Sequence, residues 1–322
     1  MAFDLADLHA AVDIVGAHVP PTPQYSWPLL AEQLGTQVWV KHENHTPTGA
    51  FKVRGGLTYF HRRSQRGETR GVISATTGNH GQSLAYAGRA NRVPVTIVVP
   101  PGNNPDKNAA MRGFGADVIE GGHDYQSARE HAQHLATERD LEMVPPFHPD
   151  LVLGVATYAL ELFTAVPELD VVYVPVGMGS GICGLIRTRD LLGLDTKVVG
   201  VVADGAPATA LSFDAGEVVS TPRIDTFLEG VACRSPDPDA IAAILAGAQR
   251  IVRVADHDAA AAVRTMLTCT HNLPEPTGAL ALAAAMGERD SLPGKRIAVI
   301  HTGGNMDADR LTTILAGRTP AP

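Results

Sequence analysis

Short runs of β-branched residues alternate along this chain with longer stretches in which Ala and Leu recur at helical spacing. Gln37-Val38-Trp39-Val40-Lys41 is the first such run, and Gly71-Val72-Ile73-Ser74-Ala75 leads into a helical pattern over residues 81–87. Val95-Thr96-Ile97-Val98-Val99 stops at Pro100-Pro101-Gly102, and a helix is predicted to start at Lys107. Ala116-Asp117-Val118-Ile119-Glu120 precedes a helical stretch over residues 125–139. Beyond residue 150, strands are predicted over 171–176, 197–202, 250–254 and 296–300, again alternating with helices. Continuous apolar strands between helices predict an α/β fold whose parallel sheets are covered on both faces. Two such groups, with Pro145-Pro146 near their join, predict two lobes.

The length agrees, since 322 residues exceed what one simple core accommodates. A net charge of -8 leaves no large basic face, which argues against a nucleic-acid partner. No apolar run reaches membrane-spanning length, and Met1-Ala2-Phe3-Asp4-Leu5-Ala6-Asp7 lacks a basic signal-peptide start, so a cytoplasmic protein without a membrane partner is expected. Cys183, Cys233 and Cys269 are far apart and fit a reducing compartment as buried small hydrophobes. Residues 318–322 are expected to fray.

Ligands of open parallel sheets sit beyond the carboxyl ends of the strands, and the unusual residues fall there. Lys52, in Thr48-Gly49-Ala50-Phe51-Lys52-Val53-Arg54-Gly55-Gly56, is placed at a helix start, where the dipole and partial burial disfavour an ammonium. A neutral amine there can attack a carbonyl and hold it as a Schiff base. Thr76-Thr77-Gly78-Asn79-His80-Gly81 offers hydroxyls and helix-start amides suited to a carboxylate. Gly177-Met178-Gly179-Ser180-Gly181 reads as a phosphate cup. Residues 179–184 also satisfy G-x-G-x-x-G, with Asp204 placed as a ribose-binding acid, so an NAD-dependent dehydrogenase is a rival. Ile300-His301-Thr302-Gly303-Gly304-Asn305 ends the last strand, with His301 expected to be a satisfied strand-end histidine. Glu275-Pro276-Thr277-Gly278-Ala279 reads equally as a site segment or as a helix start with Glu275 a solvated charge. His131 and His134 lack a third ligand at metal spacing and read as a solvated face.

Taken in order, Gly-Ala-Phe-Lys52-Val-Arg-Gly, Thr76-Thr77-Gly78-Asn79-His80-Gly81-Gln82, Gly177-Met178-Gly179-Ser180-Gly181, Glu275-Pro276-Thr277-Gly278-Ala279 and Thr302-Gly303-Gly304-Asn305 resemble the fold-type II pyridoxal-phosphate enzymes. The branch resembled is that of the serine/threonine dehydratases and serine racemases, across nearly the whole chain. The resemblance implies a tryptophan synthase β-like architecture, with a small domain of residues 53–150 and a large cofactor-binding domain of 1–52 plus 151–322. It implies that Lys52 carries pyridoxal 5'-phosphate and removes the substrate Cα proton. Phe51 then packs near the ring, Asn79 meets the ring hydroxyl, residues 177–181 cradle the phosphate, and Thr302 meets the pyridine nitrogen. Thr76, Thr77, Gly78, Asn79 and His80 hold the substrate, with Thr77 where racemase-like members place a serine on the opposite face. The implied reaction is β-elimination, the dehydration and deamination of a β-hydroxy-α-amino acid to a 2-oxo acid and ammonia. Racemisation on the same scaffold is the nearest alternative, and a silent cofactor-binding or scaffold protein is the non-enzyme one. A homodimer is implied by the resemblance alone.

Five further features refine this. Ala50 replaces a frequent serine, and Val155 in Gly154-Val155-Ala156-Thr157 replaces a glutamine, which predicts a pocket for a bulkier β-substituent such as phenylserine. Arg129 aligns loosely with a position that meets a second carboxylate, as in 3-hydroxyaspartate, against a plain surface reading. Val202-Ala203 stands where magnesium-binding relatives place a glutamate, so no divalent ion is carried over, with Asp204 and Glu229 left as candidate ligands. The chain ends soon after the catalytic pattern, which predicts a catabolic role without a regulatory domain.

Overall fold

The computed structural model describes residues 3–322; Met1 and Ala2, which head the acidic opening, lie outside the described residues. Among the described residues, ten strands form two sheets. They are β1 (Gln24–Ser26), β2 (Gln37–His42), β3 (Val72–Ala75), β4 (Val95–Val99), β5 (Asp117–Glu120), β6 (Glu142–Met143), β7 (Val171–Pro175), β8 (Lys197–Ala203), β9 (Arg250–Val254) and β10 (Arg296–His301). One sheet runs β1-β2-β10-β7-β8-β9 and the other β5-β4-β3-β6. Every pairing is parallel except β1 with β2, an antiparallel edge that the expectation of purely parallel sheets missed.

The alternation of side chains along a strand explains the layering. In the larger sheet Tyr173, Val199, Val201, Ile297 and Val299 join one buried cluster, with residues of the helices Asp256–Thr270 and Leu280–Gly287. Their neighbours Val172, Val174, Val198, Val202, Ala298 and Ile300 join another, with the helices Pro149–Ala165 and Ser180–Leu191. The smaller sheet divides likewise. Val72, Val95, Ile97 and Val99 face Leu57 and Leu84 of the helices Lys52–Gln65 and Asn79–Ala90, while Ile73, Ala75 and Val98 face Ala128, Ala132, Leu135 and Ala136 of the helix Tyr125–Glu138. Both faces of each sheet are thus apolar, which is why the strands read as continuous β-branched runs. The expected frayed tail has no regular structure, although Pro320 is buried.

A buried ionic network fixes the Lys52 helix against the larger sheet. Arg54 donates through Nε to Glu43 Oε2 at 2.7 Å and through Nη1 to Glu161 Oε1 at 2.6 Å. Lys41 Nζ reaches Glu161 Oε2 at 2.5 Å, and the Thr22 hydroxyl donates to Glu43 at 2.5 Å. Two cations therefore balance two carboxylates, so the burial of Arg54, Lys41 and Glu43 is tolerable.

Candidate active site

The carboxyl ends of β2, β3, β7 and β10 all open toward the same region. Lys52 begins its helix, as expected, and its carbonyl oxygen accepts from the Ser83 hydroxyl at 2.6 Å. The preceding turn is stitched to the end of β10: Ala50 bridges Gly303, and the Phe51 N–H donates to the Thr302 carbonyl at 3.0 Å. This pairing brings Lys52 and Thr302, far apart in sequence, to one cavity. Phe51, Lys52, His80, Gly177, Met178, Gly179, Ser180, Gly181 and Thr302 all line it, together with Val155, Gly230 and Thr277. Protein atoms crowd the Lys52 amine except where the cavity reaches it. Burial accordingly lowers its pKa below the ordinary lysine value, with Glu275 opposing the shift.

The glycine loop is built to leave amides open. Gly179, at φ 103°, precedes the helix Ser180–Leu191, and no side chain caps that helix. Cys183 N–H is bonded to the Gly179 carbonyl at 3.0 Å, which leaves the amides of the first turn directed outward with the positive end of the helix dipole. Glycine at 177 has a packing reason, since a Cβ there would lie 2.4 Å from the Gly230 carbonyl oxygen. The amide of Gly230 is held in turn by the Thr277 hydroxyl at 3.1 Å.

The Thr76–His80 turn is arranged less simply than the sequence suggests. Thr76 and His80 are buried, whereas Thr77, Gly78 and Asn79 remain partly accessible, and of the five only His80 lines the cavity. The helix Asn79–Ala90 also lacks a side-chain cap, so its first amides are free for an anion. Burial, and secondarily Lys52, pushes the His80 pKa down to about 3, so its imidazole is neutral, and Nε2 has no partner. Asn79 donates through Nδ2 to Glu275 Oε1 at 2.7 Å and accepts at Oδ1 from Asn305 at 2.7 Å.

Three expectations change. Glu275 is not a solvated charge: it turns into the site, and burial pushes its pKa up to about 7. His301 is not satisfied, because neither ring nitrogen has a partner; burial first, then His42, brings its pKa to about 3 and keeps it uncharged. Asp204 is exposed and paired with Arg253 at 2.9 Å, away from the cavity lining, so the glycine loop lacks the acid a dinucleotide would need. Glu229 is bonded to Lys107 and Arg310, both at 2.6 Å. Among the described residues no group of three or more His, Cys, Asp or Glu is placed to hold a metal ion. Arg129 and His134 are exposed on the Tyr125–Glu138 helix. Lys107, Gly230 and Asn305 were not assigned roles from sequence; only Asn305 lay in a flagged motif.

The family described as "Pyridoxal-phosphate dependent enzyme" matches residues 15–303. The chain belongs to this family. L-threo-3-hydroxyaspartate ammonia-lyase of Saccharomyces cerevisiae is 30% identical over 317 residues, covering 98% of this chain and 97% of that protein. The processed form of threonine deaminase isoform 2 from Solanum lycopersicum superposes with a TM-score of 0.89 at 28% identity, over 98% of this chain and 94% of that one. A pyridoxal 5'-phosphate-dependent aspartate racemase superposes with a TM-score of 0.90 at 27% identity, covering 97% and 98%. The cavity fits the cofactor on its own terms. A buried Thr302 hydroxyl without a partner, a lysine amine made less basic by burial and an uncapped glycine-rich helix start offer a ring-nitrogen contact, a nucleophile and a phosphate seat. Among the described residues, no helix of this pyridoxal-phosphate enzyme is long and apolar enough to cross a membrane.

Proposed function

We propose that this chain is an ammonia-lyase that removes water from a β-hydroxy-α-amino acid and releases a 2-oxo acid and ammonia. Pyridoxal phosphate, when bound, supplies the electron sink that makes the Cα proton of an amino acid removable. Lys52 anchors it through Nζ and, as a desolvated amine, takes and returns the proton at Cα. The amides at residues 177–181 hold the phosphate, Phe51 packs beside the ring, and Asn79 donates to the ring hydroxyl. Thr76, Thr77, Gly78, Asn79 and His80 receive the substrate carboxylate on uncapped helix-start amides and hydroxyls.

The observation that carries the reading is the orphaned Thr302 hydroxyl in the Lys52 cavity. A neutral hydroxyl, unlike a carboxylate, leaves the pyridine nitrogen largely unprotonated and the sink weak. With the cofactor held there, a weak sink would favour loss of a β-hydroxyl over return of the proton to Cα by Lys52. Measuring ammonia and 2-oxo acid release from a panel of β-hydroxy amino acids tests this; substrate inversion without ammonia would instead select the second reading. That second reading, racemisation, is favoured by the Thr77 hydroxyl and by the likeness to the racemase structure.

Val155 is 2% exposed and presents an apolar wall to the cavity, which supports a bulky β-substituent over a small one. Phenylserine is expected to exceed serine in kcat/KM by about tenfold, the scale of a well-filled apolar pocket. A clear preference for serine contradicts this. The same reading divides the chain into a small domain of residues 53–150 and a large one of 1–52 plus 151–322, with the cavity between them. It also carries a homodimer, on the family resemblance, and a cytoplasmic location, in keeping with three free, buried thiols. Sedimentation of the purified protein checks the dimer.

A further inference from the structure

Glu275 has no part in the reaction as derived so far, yet it is packed against the loop that carries Thr302, and its charge bears on the Lys52 amine. Its backbone N–H donates to the Gly303 carbonyl at 3.0 Å, which sets the residue against the loop carrying Thr302. A Cβ on Gly303 would lie 2.6 Å from Glu275 Oε1, so only glycine there lets the carboxyl turn inward.

The hydrogen bonds around it determine which oxygen can carry a proton. Asn305 Nδ2 donates to the Thr48 carbonyl at 2.9 Å, an acceptor only, and this fixes the orientation of the Asn305 amide. The same Nδ2 meets Asn79 Oδ1, so Asn79 presents its oxygen to Asn305 and its Nδ2 to Glu275 Oε1. Oε1 is therefore an acceptor in either charge state. A proton on Glu275 belongs on Oε2, which among the described residues makes no hydrogen bond.

The charges facing Glu275 come from three directions. Lys52 lies on its own helix, Lys107 on the helix Pro105–Gly113, and Glu229 in the turn Glu229–Val231. Lys107 and Arg310 already hold Glu229, while His80 and His301 remain neutral. Burial opposes charge on both Glu275 and Lys52, raising the pKa of the first to about 7 and lowering that of the second. The two groups are thereby brought toward each other in basicity, which is the condition for a proton to pass between them.

We propose that Glu275 is the proton-holding partner of Lys52. When Lys52 Nζ has taken the substrate Cα proton, an N–H bond of the resulting ammonium breaks and an O–H bond forms at Glu275 Oε2. The amine is neutral again; the proton then returns from Glu275 Oε2 to Lys52 Nζ, which lines the cavity and gives it to the departing hydroxide, completing water. Glu275 acts through Lys52 and is in that sense a positioning residue. The proposal rests on the ammonia-lyase reading above.

The sign of the pH dependence follows. Glu275 accepts a proton only as a carboxylate, so kcat rises with pH through about 7. Glu275→Gln in the holoenzyme is expected to lower kcat about 10²-fold, leave KM within about threefold, and remove that acid limb. The visible absorbance of the bound cofactor, titrated without substrate, is expected to shift with a midpoint near 7 in the parent protein and to stay flat in Glu275→Gln. Glu275→Asp, which keeps a carboxyl one carbon shorter, is expected to restore part of kcat and to displace the limb. Should Glu275→Gln fail to take up cofactor, the Asp variant decides: a displaced limb supports the proposal and an unmoved one overturns it. Retention of the limb and of kcat within about threefold in Glu275→Gln, with Lys52 still trapped by borohydride, overturns this proposal and leaves the ammonia-lyase reading intact. Absence of any Lys52 adduct in the parent protein overturns both.

Discussion

Lys52→Ala is expected to abolish 2-oxo acid formation, lowering kcat by about 10⁴-fold or more, while leaving the fold unchanged. The size of the loss follows from one side chain holding two roles, a covalent anchor and the base at Cα, and proton transfer alone is worth about 10²–10⁴-fold. The fold should survive for local reasons. Among the described residues Nζ makes no hydrogen bond, and the interactions that fix this turn use the Lys52 carbonyl, the Phe51 N–H and Arg54. Truncation removes a desolvated amine, so no buried partner is left without its bond. Circular dichroism of the variant should match the parent. A variant that retained turnover within tenfold would show that another group does the chemistry.

Arg54→Met is expected to have the largest effect on stability, about 3–5 kcal/mol, the cost of breaking a buried pair by removing one partner. Arg54 is fully buried and serves Glu43, also fully buried, and Glu161. Without it Glu43 keeps only the Thr22 hydroxyl and Glu161 keeps only Lys41 as a cation. Burial works to raise the Glu161 pKa, but Arg54 and Lys41 outweigh it and hold the carboxyl below its ordinary value. A depressed carboxyl stabilises the fold above the unfolded pKa of about 4.3, and that contribution fades as pH falls through the lower folded value. Removing Arg54 should therefore cost most at neutral pH and less toward pH 3. Urea midpoints at several pH values check both the size and the trend. Because Arg54 stands two residues after Lys52, weakened cofactor retention should accompany the lost stability.

The strands were legible because a parallel strand covered on both faces must be apolar at every position. β7, with Val171, Val172, Tyr173, Val174 and Pro175 all buried, reads unmistakably. β1 and β6, with three and two residues, carry too little pattern to be seen, and β1 is a partly exposed edge. The lining of the candidate site was legible where it carries unusual backbone or an isolated amine: the glycines at 177, 179 and 181, Lys52, and Thr302 just after β10. Charged side chains whose meaning depends on distant partners were not. Glu275 acquires its role from Asn79, 196 positions earlier, and from the room left by Gly303. Lys107 reads as an ordinary helix-start lysine until Glu229, 122 positions later, is placed beside it. His301 shows the converse, a residue expected to be satisfied that the fold leaves without a partner.

Borohydride reduction of the purified protein in the presence of pyridoxal phosphate, followed by peptide mass mapping, tests the central claim most directly. A single reduced pyridoxyl adduct on Lys52, absent from Lys52→Ala, is the predicted result. An unmodified Lys52, or adducts spread over surface lysines with no preference for this one, would contradict the account.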